Sequence, residues 1–233
     1  MNKPIRAMAV AAMAMFLALL LNVTYLQYFR ADELNARNDN RRARDAEFAR
    51  QRGAILVAGD PVAISRKSDD RFEYQRRYPE PLMYAHSTGF FSYIYGRSAI
   101  EASQNPILSG NDPRLFVDRV IDLLSNTQPE GGSVALTLDE AAQQAAYDGI
   151  REGLGEDAQA AVVALEPATG KILAMVSNPT YDPNRLASHD LDEVTSAWDE
   201  LTSDPDQPML NRAVGERFPP GSTFKLVLIA AHL

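Results

Sequence analysis

The sequence contains no cysteine, which excludes a disulfide framework, thiolate zinc sites and a cysteine nucleophile. Its three histidines, His86, His189 and His232, lie far apart. They lack the close pairing of a zinc site, so no metal is expected. Gly170-Lys171 has no upstream glycine to make a phosphate-binding loop, so nucleotide binding is not supported and no cofactor is expected. Positive charge is also short: 23 Lys and Arg against 31 Asp and Glu leave a formal net charge of −8. That balance argues against a nucleic-acid partner, which normally needs a basic face. The length of 233 residues allows one large domain or two small ones. With 45% hydrophobic and 23% charged residues, the composition is that of a globular protein.

Charge is missing locally too. No charged residue occurs between Arg6 and Arg30, and Ala7 to Leu21 is almost wholly Ala, Met, Leu, Val and Phe. A helix of about 23 residues there rises roughly 35 Å, enough to cross the ~30 Å hydrocarbon layer with modest tilt. Tyr25 and Tyr28 sit where amphipathic rings favour the interface. A cleaved secretory signal is the rival reading. The uncleaved anchor is favoured, because Asn22, Thr24, Tyr25 and Gln27 follow the apolar run in place of a small-x-small site. Orientation by charge is in conflict: Lys3 and Arg6 favour an inside N-terminus, while Arg30, Arg37, Arg41, Arg42 and Arg44 crowd the other side. Long domains translocate largely regardless of such charges.

The stretch from Ala31 to Gln51 is polar and reads as a solvated helix, either a juxtamembrane stalk or a segment binding anionic headgroups. A strand is expected at Ala54 to Val57, closed by the turn Gly59-Asp60-Pro61. Aromatic residues and prolines dominate Tyr74 to Tyr95, and they serve core packing or, alternatively, a glycan patch. Asp112-Pro113 opens an expected helix over Arg114 to Leu124, and Pro129-Glu130-Gly131-Gly132 reads as a linker. Val134, Leu136 and Leu138 alternate as in a strand, and a helix follows through Tyr147 with Thr137 and Glu140 spaced as a capping box. Ala160 to Leu165 and Lys171 to Ser177 flank a short turn and predict an antiparallel hairpin. A helical stretch is expected over Leu191 to Leu201, and no internal repeat is visible.

The segment richest in chemistry is Pro219-Pro220-Gly221-Ser222-Thr223-Phe224-Lys225, which runs into the apolar Leu226 to Ala231. The turn places Ser222 in the first turn of a helix, where unpaired N–H groups and the positive dipole end favour a developing anion. Lys225, three residues on, projects from the same face, about 5–6 Å away at Cβ. A hydroxyl becomes a useful nucleophile when a neighbouring base removes its proton. A lysine serves as that base if burial and the dipole lower its pKa. Ser-x-x-Lys alone is a weak signal, and a solvated capping serine is the bland alternative. A helix apolar all round suits the middle of a domain.

Ser-x-x-Lys is also the first signature of penicillin-binding proteins and serine β-lactamases. Met209-Leu210-Asn211-Arg212-Ala213 followed by Phe218 to Lys225 resembles the approach of class B penicillin-binding proteins to their active serine. Ala161 to Pro167, Thr169-Gly170, Ile172 to Ser177 and Tyr181-Asp182-Pro183-Asn184 are similar to the opening hairpin of that family's transpeptidase domain. Met1-Asn2-Lys3-Pro4 and Gly89-Phe90-Phe91-Ser92 resemble the actinobacterial penicillin-binding protein A group. The resemblance implies an α+β fold with three parts: a tail and transmembrane anchor (1–30), a pedestal or dimerisation-like region with linker (31–155), and the N-terminal part of a β-lactamase-like transpeptidase domain (156–233). It implies a single-pass plasma-membrane protein with its bulk extracytoplasmic. Ser222 and Lys225 would be catalytic, peptidoglycan stem peptides and β-lactams the ligands, and other cell-wall synthesis and division proteins candidate partners. Ser222 would attack the penultimate D-Ala carbonyl, and the acyl group would pass to another peptide's amine.

Two departures stand out. Arg52-Gly53-Ala54-Ile55 resembles the family's Arg-Gly-x-Ile, but the Asp-Arg-Asn-Gly that often follows is absent. The chain also stops eight residues after Lys225 and holds no Lys-Thr-Gly. The elements beyond would include an oxyanion-hole donor, and losing one such donor costs about 10²–10³ in rate. They would also cover Phe224, Leu226, Val227, Leu228 and Ile229, whose burial is worth roughly 7–15 kcal/mol in all. These 233 residues alone are therefore expected to be inactive and to hold their last helix poorly. A non-catalytic membrane-anchored scaffold and a β-lactam sensor or β-lactamase relative are the competing readings. A long region ahead of the serine disfavours the lactamase, and a single membrane segment disfavours the sensor.

Overall fold

The computed structural model describes residues 2–35, 41–112, 114 and 130–231. The chain divides into two compact units, Met1–Glu47 and Phe48–Leu233.

The first unit is helical. α1 (Asn2–Tyr28) holds the apolar run in one helix, and its 26 residues Lys3–Tyr28 are long and apolar enough to cross a membrane. They rise roughly 39 Å, more than the ~30 Å hydrocarbon layer. α2 (Ala31–Asn35) and the start of α3 (Arg41–Phe48) follow. Among the described residues the expected solvated helix shows as these two helices, and it does not stay polar to its end. Phe48, the last residue of α3, is buried in the second unit against Phe72 and Phe91, stacked on Phe91 at 4.4 Å between ring centroids. An aromatic side chain of that size stabilises far more by burial than by exposure to water.

The second unit begins with a four-stranded sheet, in the spatial order 74–77, 60–67, 55–57, 134–135. β1 (Ile55–Val57) and β2 (Asp60–Lys67) form an antiparallel hairpin that turns at Ala58-Gly59, both at positive φ, earlier than the expected Gly59-Asp60-Pro61, since Asp60 and Pro61 already pair with Val57 and Leu56; β3 (Tyr74–Arg77) extends it. β6 (Val134–Ala135) joins β1 in parallel, and Leu136 N continues the ladder to Leu56 O at 2.8 Å. Between them lie α4 (Pro81–Thr88), the β4–β5 pair (Phe91–Ser92 and Gly96–Arg97), α5 (Ala99–Ser103) and α6 (Asn105–Leu108). The expected helix over Arg114 to Leu124 and the start of the linker at Pro129 lie outside the described residues, apart from Arg114. Its backbone N–H donates to the Asp112 carboxylate at 2.8 Å. The aromatic-rich segment serves packing: Tyr78, Tyr84, Phe90 and Phe91 are all buried.

Glycine is required where Arg52-Gly53 meets the linker. A Cβ on Gly53 would lie 2.0 Å from Gly132 O, and one on Gly131 would lie 1.9 Å from Leu108 O. The close approach lets Gly53 N donate to Leu108 O and Gly131 N to Gln51 O.

α7 (Glu140–Leu154) runs two turns further than Tyr147. Its cap differs from the expected capping box. Asp139 is the N-cap, accepting from Ala142 N at 2.9 Å. The Thr137 hydroxyl instead crosses to Ile172 O at 2.8 Å. A carboxylate one residue before the helix satisfies the orphan donors and interacts better with the positive dipole end than a hydroxyl would. β7 (Ala160–Glu166) and β8 (Lys171–Asn178) form the expected antiparallel hairpin, with a register irregularity at Ala164/Leu165. Gly170 takes φ +75 in its turn, and α8 (Leu191–Ser203) follows.

One core spans both halves of this unit. Ile55, Val57, Val62, Tyr78, Met83 and Leu108 pack with Leu138 and Ala187, and Met175 lies against them. Polar side chains stitch the halves as well. Fully buried Gln143 of α7 donates to Met83 O at 3.0 Å and Met175 O at 3.1 Å, and accepts from Met175 N at 2.9 Å. Asn184 accepts from Tyr78 N at 2.9 Å and donates to Tyr78 O at 3.0 Å.

A buried ion cluster braces the first half. Glu101 of α5 is fully enclosed. It accepts from Arg52 Nε at 2.6 Å, Arg76 Nε at 2.7 Å and Tyr78 OH at 3.2 Å. Arg52 Nη2 also donates to Glu101 O at 2.8 Å, and Arg76 Nη1 to Gly53 O at 2.8 Å. Burial alone would raise the Glu101 carboxyl, but Arg76 and Arg52 more than reverse it and hold it below the usual carboxylate range. Arg52, the first residue of the Arg-Gly-x-Ile-like segment, thus pairs with Glu101, 49 residues away.

Candidate active site

The approach to Ser222 is pinned residue by residue. Ser177, near the end of β8, donates its hydroxyl to Leu210 O at 3.0 Å and accepts from Arg212 N at 2.9 Å. Asn211 caps α9 (Arg212–Gly215) by accepting from Ala213 N at 3.1 Å, and its amide donates to His86 O at 3.2 Å. The buried guanidinium of Arg212 donates to Gln207 O at 3.2 Å and Asp206 O at 2.5 Å. Its Nε lies 3.0 Å from Glu216 Oε2. The bases of the hairpin, α4 and α9 are therefore one hydrogen-bonded block. His86 belongs to that block. Burial pushes its pKa down to about 4, the bond to Pro179 O works against this, and the Arg212 charge adds to it. Its ring is neutral at pH 7, with Nε2 carrying the proton toward Pro179 O.

From this block Arg217 to Pro220 lead to Gly221, whose φ of +52 suits a residue without a Cβ. Gly221–Thr223 form a 3₁₀ turn, and α10 (Phe224–Ala230) continues it. The Thr223 hydroxyl donates back to Pro220 O. Ser222 thus sits at the expected helix start, in a 3₁₀ turn ahead of the α-helix proper. Tightened first turns of this kind are common where orphan N–H groups lack i−4 partners. Lys225 stands three residues on, one turn away. Both are exposed, and neither Ser222 Oγ nor Lys225 Nζ makes a hydrogen bond or ion pair with a described residue. All of α10 is open to solvent, from Phe224 at 50% to Leu226 at 70% exposure.

What the arrangement can do chemically is limited and specific. A hydroxyl stands at a positive helix end with an amine one turn away, a combination that nucleophilic acyl transfer can use. Among the described residues no cluster of three or more His, Asp or Glu could hold a metal. The sequence reading identified the Ser222 and Lys225 pair. It took Asn211-Arg212 from resemblance alone, without the anchoring role that Ser177, Asp206 and His86 give it.

Comparison with known proteins decides the family. Residues 52–134 match the family model of the penicillin binding protein A dimerisation domain, and residues 160–233 that of the penicillin binding protein transpeptidase domain. All 233 residues align at 47% identity with the peptidoglycan D,D-transpeptidase PbpA of Mycolicibacterium smegmatis, covering 48% of that protein. The chain belongs to the class B penicillin-binding proteins. PbpA of Mycobacterium tuberculosis is 46% identical over the same 233 residues, again with 48% of its length covered. The imipenem acyl-enzyme structure of penicillin-binding protein A from M. tuberculosis superposes with a TM-score of 0.78 at 47% identity. That match covers 79% of this chain and 42% of the other. The chain therefore spans about half the length of the curated relatives it matches. Its fold is that of a penicillin-binding protein, with a dimerisation region and part of a transpeptidase domain behind an apolar N-terminal helix.

Proposed function

We propose that Ser222 is the nucleophile and Lys225 the base of a peptidoglycan D,D-transpeptidase. Lys225 Nζ takes the Ser222 proton as Oγ attacks the penultimate D-Ala carbonyl. The terminal D-Ala leaves with a proton, giving an ester on Ser222. A second peptide's amine then attacks that ester, restoring the serine and forming the cross-link. β-Lactams would acylate the same oxygen; the M. tuberculosis protein forms an acyl-enzyme complex with imipenem. The observation that carries this reading is the Ser222-x-x-Lys225 pair at the head of an apolar helix. The surrounding chain aligns along its full length with a D,D-transpeptidase.

The same reading divides the chain into a tail and anchor (1–30), a pedestal with linker (31–155) and a transpeptidase part (156–233). It places the protein in the plasma membrane by α1, with the bulk outside. α7 falls between the two family matches, and Gln143 ties it to both. The test is turnover by a fusion of residues 1–233 to the C-terminal half of the M. smegmatis relative, the part of that protein that this chain does not cover. A pentapeptide ending in D-Ala-D-Ala is supplied with an amine acceptor. Ser222→Ala should abolish D-Ala release, and Lys225→Met should lower kcat by about 10²–10⁴ while leaving substrate binding near normal. Retained turnover in Ser222→Ala defeats the proposal.

A further inference from the structure

β2 and β3 meet the Pro183–Arg185 turn at a cavity of about 460 Å³. Its lining carries Arg66, Lys67 and Arg77 and no acidic side chain. Strand register explains the concentration of charge. Ile64 pairs with Arg77 and Arg66 with Gln75, so Arg66 and Arg77 project from one face as diagonal neighbours, roughly 7–8 Å apart. Lys67 joins them at the strand end. Among the described residues none of the three forms an ion pair. Two neighbouring charges are otherwise engaged. Asp70, in the loop between the strands, is held by His189, Ser68 and Phe72 N, and Arg185 pairs with Glu200. The floor is rigid, because the Asn184 amide is fixed to both backbone groups of Tyr78 and to Asp182. Three like charges around one concavity repel one another unless an anion enters, and this chain has a formal surplus of eight negative charges.

We propose that this cavity binds a phosphate-bearing ligand. Two guanidinium forks and one ammonium match a tetrahedral anion, whose several oxygens can be shared between separate donors; a carboxylate offers two oxygens and fills one fork. The volume lies in the range of small-molecule sites rather than of a lone ion. The phosphate is thus carried by a larger body such as a glycerol or sugar unit, either a soluble phosphoester or a lipid headgroup. Bound there, it touches β2 and β3 from the dimerisation region and the turn at Asn184 from the transpeptidase region, so it clasps the two.

The experiment titrates the 233-residue chain in neutral detergent at low salt with sn-glycerol 3-phosphate and with dihexanoylphosphatidylglycerol, read by calorimetry. Saturable binding of glycerol 3-phosphate, with a rise in Tm, identifies a soluble ester as the source; binding of the lipid alone identifies the headgroup. In either case Arg66→Gln/Arg77→Gln should weaken binding by about tenfold per guanidinium with the ligand-free Tm unchanged. Arg41→Gln/Arg42→Gln, which removes the same charge elsewhere, should leave binding as it was. Four results overturn the proposal: no saturable binding of either probe; binding that survives Arg66→Gln/Arg77→Gln; equal weakening in Arg41→Gln/Arg42→Gln; or citrate binding as tightly as the better phosphoester. Should the Arg66 and Arg77 variant fold poorly, Lys67→Gln alone carries the same comparison.

Discussion

Replacing Glu101 by Gln keeps the shape of the side chain and removes its charge. Arg52 and Arg76 then remain buried without a counter-charge; the amide oxygen keeps one of the two bonds of 2.6–2.7 Å, and the amide NH2 turns donors toward the other guanidinium. Breaking a buried pair by deleting one partner costs about 3–5 kcal/mol, because a charge is left uncompensated. That is a large share of the ~5–15 kcal/mol that holds a domain together. Trp198 is the sole tryptophan and lies stacked on Tyr95 at 4.0 Å, in the same unit, so its fluorescence during urea unfolding of the full chain reports the loss. The sign with pH follows from the depressed carboxyl. The unfolded group titrates near 4.5 and the folded one lower, so its contribution is complete above pH 4.5 and is lost as pH falls through the folded value. The gap between wild type and Glu101→Gln should therefore be widest at neutral pH and close in acid. A difference under about 1 kcal/mol at pH 7, or one that grows on acidification, refutes the reasoning.

Gln143→Leu strands Met83 O, Met175 O and Met175 N in the interior, and should destabilise by at least about 3 kcal/mol in the same urea assay. Buried His86 has its pKa lowered to about 4, so the unfolded chain binds its proton first as pH falls. Stability should be full above pH 6.5 and drop by roughly 3 kcal/mol between pH 6.5 and 4, a slope that His86→Leu flattens. Gly53→Ala forces a methyl group into the backbone of Gly132 and should lower Tm by about 10 °C or more, measured by differential scanning calorimetry.

Short-range pattern was legible in the sequence, and long-range pairing was not. The β7–β8 hairpin follows from two apolar runs around Thr169-Gly170, and α8 from its periodicity, because both depend on neighbours within a few residues. The helix start at Ser222 was legible for the same reason, since the turn and the apolar run beside it are adjacent in sequence. The Thr137 reading failed on competition. The hydroxyl found a strand carbonyl at Ile172, and Asp139 filled the cap it left. Arg52 and Glu101 lie 49 positions apart, Gln143 and Met83 60 apart. No periodicity marks a charge or amide as buried, since polar residues are ordinarily outside. Phe48 was hidden likewise, a lone aromatic at the end of a polar run that becomes an anchor only when Phe72 and Phe91 fold against it. Resemblance supplied what pattern could not, by placing Asn211-Arg212 on the path to the serine before any contact explained its place there.

The most direct test of the account is to find which oxygen β-lactams acylate. The chain, fused to the C-terminal half of the M. smegmatis relative, is treated with benzylpenicillin and digested with trypsin, which releases Phe218–Lys225 as one peptide. The penicilloyl mass should sit on Ser222 in that peptide, leave Thr223 unmodified, and vanish in Ser222→Ala. An adduct on any other residue, or one that persists in Ser222→Ala, contradicts the assignment of Ser222 as the nucleophile.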